Sequence, residues 1–158
     1  MALATELALL FRRDLTRLIQ QIQAFPDDGT LWQRRPGIAN SAGNLVLHLE
    51  GNLREYVGRQ VGGLRYRRVR ELEFSETGLP KQELIARLTE LRDAIPEILG
   101  ELSSEELDAE YPEVVLERPL STRAFLIHLQ GHLNWHLGQV DYLRRVLTGN
   151  GAIQAAGL

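Results

Sequence analysis

The chain contains no cysteine. That absence excludes a disulfide scaffold, a thiolate metal site, an iron-sulfur cluster and a catalytic thiol together, and leaves any metal chemistry to histidines and carboxylates. Long apolar runs are missing too: no stretch approaches the roughly 18 consecutive apolar residues of a membrane span. The N-terminal run Met1 to Phe11 is interrupted by Glu6 and followed, not preceded, by Arg12 and Arg13, so it reads as a helix start and not as a signal peptide. Neither sign of charge dominates, with 18 basic residues against 21 acidic ones and a net charge of −3. The electrostatic footprint of a nucleic-acid or anionic-lipid binder is therefore lacking, and neither partner is expected. With no leader and no membrane signal, the expected location is the cytoplasm. At 158 residues, 44% hydrophobic and 25% charged, the chain is expected to form a single domain over residues 1–158 around one core.

No segment of useful length alternates like a strand, whereas four segments carry a helical period, so the fold class is all-α. Leu7, Phe11, Leu18, Ile22 and Phe25 mark the first helix, which Pro26-Asp27-Asp28-Gly29 ends. The second follows Pro36-Gly37, is capped by Asn40 or Ser41, presents Leu45, His48, Leu49, Asn52 and Tyr56, and closes at Gly62-Gly63. The third starts at Pro80 and carries Leu84, Leu88, Leu91, Ile95, Ile98 and Leu102, with Pro96 predicted to kink or split it. Ser103 and Glu106 match a capping box, and Tyr111 to Pro119 reads as an extended connection. The fourth helix runs from about Ser121 to Leu147 and stops at Thr148-Gly149-Asn150-Gly151. The connection from Gly62 to Leu79 is long enough to run back along a whole helix. The expected architecture is therefore a four-helix bundle, up-down-down-up, with one long crossover between helices 2 and 3. Residues 152–158 have few anchors and are expected to fray or to cover a neighbouring surface.

His128, His132 and His136 follow one another at four-residue steps. Each step turns a side chain by only about 40° and raises it roughly 6 Å, so neighbours in the series can share a ligand. The outer two lie about 12 Å apart along the axis, so one ion takes a pair, and geometry leaves both pairs open. His48 points from the second helix into the same interior and is the natural third ligand. Three neutral imidazoles leave a coordination position for water or substrate, as catalytic sites do. Packing histidines are the alternative, but several buried imidazoles would then each need a partner, which one shared cation supplies. The residue after His132 is Leu133, so this is not the H-E-x-x-H zincin motif.

Asn40-Ser41, the run Asn44 to Leu49 and the run Gly131-His132-Leu133-Asn134-Trp135-His136-Leu137-Gly138-Gln139 resemble the DinB/YfiT-like superfamily of bacterial metal-binding four-helix bundles. The resemblance implies a metal triad of His48, His132 and His136, in preference to His128. It also implies a divalent transition metal, zinc or nickel above others, and chemistry of the thiol S-transferase or isomerase kind. Since the chain has no cysteine, the thiol must come from a low-molecular-weight cosubstrate. Hydrolysis through an activated water stays open, and His128 is a guess for the general acid or base.

Around the triad, Gln139 and Asn52 could orient ligands or be satisfied core amides. Asp14 falls on the apolar face of helix one, where it could pair with an imidazole or complete a His-and-carboxylate site, although an arginine partner or a position near the bundle end is the plainer reading. The run Arg65, Arg67, Arg68 and Arg70 could meet carboxylates or phosphate, but Glu71, Glu73 and Glu76 follow directly, and a solvated loop of local ion pairs is the plainer reading. Trp32 and Trp135 are read as packing or interface residues. Two functions follow: a metal-dependent enzyme acting on a small molecule, or a non-catalytic metal-binding or stress-related interaction protein. Either is expected as a homodimer.

Overall fold

The computed structural model describes residues 2–157. Helix α1 spans Leu3–Gln23, α2 Asp28–Leu31, α3 Ala42–Leu53, α4 Arg70–Ser75, α5 Lys81–Gly100, α6 Ser104–Asp108 and α7 Thr122–Thr148, and α3 continues into a π-helical segment over Arg54–Arg59. The described residues contain no strand, only isolated bridges such as Val115 with Arg118. The protein is all-α, and no helix among the described residues is long and apolar enough to cross a membrane.

Helices α3, α6 and α7 start where a serine side chain satisfies free backbone groups. Ser41 accepts from the Asn44 amide while the Asn44 side chain returns to the Ser41 backbone, and the same reciprocal box joins Ser103 and Glu106. Ser121 caps α7, which ends at Gly149 with φ 72°, a left-handed position suited to glycine. Helix α1 packs on α5 and α7, and α3 packs on the same two helices from the other side. The apolar stripes meet between them: Phe11, Leu15 and Leu18 from α1, Leu49 and Leu53 from α3, Leu88 and Ile95 from α5, and Leu126 and Leu133 from α7 are all sealed from solvent.

Four details differ from the pattern read in the sequence. Pro96 lies buried within α5 and does not divide it. The connection from Gly62 to Leu79 is not a plain loop, because α4 interrupts it and packs on α3. Val114 to Arg118 makes a tight reversal in which Leu116 and Glu117 both take left-handed φ, 54° and 62°. The π winding at the end of α3 had no local signal. There Gln60 donates to the Glu55 carbonyl and Val61 to that of Val57, which passes over the Tyr56 carbonyl; the Tyr111 hydroxyl donates to it instead, at 2.7 Å.

The C-terminal segment is tied down. Arg144, wholly buried, donates to Gln21 Oε1, Asp141 Oδ1 and the Gly151 carbonyl, while Arg17 donates to the Ala156 carbonyl and the Ala156 amide to Gln20. Residues 150–157 therefore cover α1 rather than fray.

Candidate metal centre

Helix α3 carries His48 and α7 carries His132 and His136, and the contact between the two helices brings the three rings together. One nitrogen of each lies within 4.8 Å of the others, an arrangement that could hold a metal ion. His132 Nε2 is 3.1 Å from His48 Nε2 and 3.1 Å from His136 Nε2. The other nitrogens are held from outside. His48 Nδ1 is 2.9 Å from Glu73 Oε2, and since a carboxylate only accepts, Nδ1 carries the proton and Nε2 keeps its lone pair. His136 Nδ1 donates to Gln139 Oε1 at 2.6 Å, with the same result.

Two lone pairs therefore face His132 Nε2 at hydrogen-bond distance, and a single N–H there could serve only one of them. A cation at the centre takes all three lone pairs, so the donor set fits a metal better than it fits itself. Burial, followed by the neighbouring imidazoles of His136 and His48, pushes His132 down to about 4, the neutral form that a ligand needs. Once Nε2 is engaged, His132 carries its proton on Nδ1. Among the described residues that atom and Asn52 Oδ1 are the buried side-chain polar atoms without a partner, a donor and an acceptor.

Glu73 forms a local ion pair of the kind expected for this run, with Arg68, but it is not solvated. It is 6% exposed, and Arg68 grips its carboxylate with two hydrogen bonds, of 2.6 and 2.8 Å, while the carboxylate holds His48. Burial alone would raise the Glu73 carboxyl, but Arg68 and His48 outweigh it and hold the group below its ordinary range. The approach depends on Gly51: a Cβ there would come within 2.2 Å of Glu73 Oε1. Glu73→Gln is expected to weaken zinc affinity about tenfold, the lower end for losing a partner behind a ligand, and Gly51→Ala to act in the same direction. Chelator competition measures both. Parent-like affinity in each variant would remove Glu73 from the site.

The remaining residues separate clearly. Gln139 reaches His136, and Asn52 and His128 line the cavity next to the triad, His128 stacked on Phe125 with ring centres 6.0 Å apart. Asp14 is not brought to the histidines. It is sealed between α1 and α7, where Arg13, Arg17, Gln130 and Asn134 all donate to it, so the arginine pairing is the one that forms. Trp32 packs its indole on Gly43 and donates to the Leu79 carbonyl, whereas Trp135 is 69% exposed.

Among known proteins, residues 7–149 match the mycothiol-S-transferase family. The chain belongs to that family. It thereby belongs to the DinB/YfiT-like superfamily, and its fold is shared with a DinB-like protein from Bacillus cereus whose crystal structure superposes with a TM-score of 0.67 at 20% identity, covering 89% of this chain and 91% of that one. No curated protein matches the chain. In this family member the sequence signal for the histidines was their spacing. For Glu73 the available signal was Gly51, a small residue inside a helix one turn from His48.

Proposed function

We propose that this protein is a metal-dependent thiol S-transferase whose ion is held by His48, His132 and His136. The observation that carries the reading is the convergence of three Nε2 atoms, two of them oriented by hydrogen bonds at the opposite ring nitrogen. When bound there, a divalent transition metal, zinc or nickel, would supply Lewis acidity able to lower the pKa of a thiol. The chain's own residues do the rest. Glu73 and Gln139 fix the ring planes of His48 and His136, Arg68 holds Glu73 in place, and the cavity of about 430 Å³ beside His48 and His132 receives the small-molecule substrate. With no cysteine in the chain, the thiol is a diffusible cosubstrate, and the family's name points to mycothiol.

The reading takes residues 1–158 as one up-down-down-up four-helix bundle with the crossover between its second and third long helices, located in the cytoplasm. A homodimer is supported by Trp135, Tyr142 and Val146, large apolar side chains exposed along one side of α7.

The test is consumption of an alkylating electrophile by zinc- or nickel-reconstituted protein with mycothiol, cysteine or no thiol. Turnover that needs both metal and thiol is expected, and it should vanish in His132→Ala. Metal-replete protein that accelerates no thiol's reaction with any electrophile would overturn the transferase reading in favour of a binding protein.

A further inference from the structure

The geometry points to an anion-binding subsite at Arg70, which makes the electrophile of the proposed transferase an acidic one: a molecule with an apolar body and a carboxylate. This rests on the transferase reading and names the substrate class for the same site. The cavity that contains His48 and His132 is also lined by Arg68 and Arg70. A neighbouring hollow of about 510 Å³ shares Tyr56, Arg68, Arg70 and Glu113 with it, so the two form one groove, and the second part adds Arg59 and Arg67.

The charges along this groove are not equally available. Arg68 is committed to Glu73, and Arg59 to Glu55 and Glu113. Arg67 and Arg70 are exposed and have no carboxylate within ion-pair distance among the described residues. Arg70 is the better placed, because it borders both parts of the groove. Its guanidinium lies over the Phe74 ring at 5.3 Å, and that ring is 5.1 Å from the His48 ring. An aromatic face holds a guanidinium flat and leaves its donor edge free for a carboxylate.

Part of the cavity lining is apolar. Val114 and Leu116, 71% and 52% exposed, line it with Phe125 and Leu129 of α7. Val115, between them, is buried and its carbonyl accepts from the Arg118 amide, so Val114 and Leu116 are the apolar side chains of this reversal left uncovered. A ligand body lying between them and α7, with its carboxylate on Arg70, covers that surface and pairs the free cation.

Calorimetric titration with trans-cinnamate and with cinnamamide tests this, because the two share a body and an activated double bond and differ in charge. Cinnamate should bind zinc-loaded protein at least about tenfold more tightly, with a preference that falls as salt rises. Arg70→Met should abolish the preference, and Arg67→Met reduce it less. Val114→Ser should weaken both ligands alike. A carboxylate can also ligate zinc, so the titration is repeated on metal-free protein, where a preference due to Arg70 persists. Equal affinities, no binding of either ligand, a preference kept by Arg70→Met, or one seen only with zinc would each overturn the subsite. Failure of the transferase reading looks different: the preference survives in a protein that holds no metal and turns over no thiol.

Discussion

Protein purified without a chelating column or tag is expected to carry close to one equivalent of a divalent transition metal, and His132→Ala to carry almost none. His132 is the hub, since both 3.1 Å contacts within the triad run through it. Its loss leaves His48 and His136 without the nitrogen that joins them, and the affinity should drop by more than the 10–100-fold that follows loss of an outer partner. Elemental analysis and competition with a zinc chelator read the result directly. The folded state should survive, because the ring is only half-buried. Undiminished metal in His132→Ala would place the ion elsewhere.

The second large effect concerns stability, far from the metal. Arg144→Leu should cost about 3 kcal/mol, because it strands Gln21 Oε1 and the Gly151 carbonyl and removes one of two arginines from Asp141. In a chain of this length that is a fall in Tm of about 10 °C. Asp141 keeps Arg145, so the loss falls short of a fully isolated buried charge. Limited proteolysis should then cut residues 150–157 first, while metal content stays at the parent level. A Tm within a degree of the parent would mean that leucine packs as well as the arginine pairs.

How much of this was legible beforehand depends on whether the signal was periodic. The long helices were, from the period of their apolar stripes, and so were the caps at Ser41 of α3, Ser103 of α6, and Ser121 and Gly149 of α7. The triad was legible in part: the four-residue spacing put His132 with a neighbour, and the choice of His136 over His128 came from resemblance, not geometry. Glu73 was hidden because three glutamates follow four arginines, and local sequence does not say which of them α4 turns inward. Asp14 showed the converse, its burial being readable from its place on an apolar face although its partners on α7 were not. The π segment had no signal, since Arg54 to Arg59 is as compatible with ordinary α winding.

That π segment also meters a distance. Because its winding holds one residue more than an α turn, everything beyond it is rotated about the helix axis by about 100° relative to regular continuation. Arg59 and Gln60 thereby come to face Glu113, while the Tyr56 carbonyl is left free for Tyr111. Deleting a single residue between 54 and 59 would restore the regular helix and make it locally more comfortable, yet it would cast off both moorings of the reversal that carries Val114 and Leu116. The wall of the cavity beside the triad is in this sense placed by a residue count, one that an alignment would score as a harmless gap.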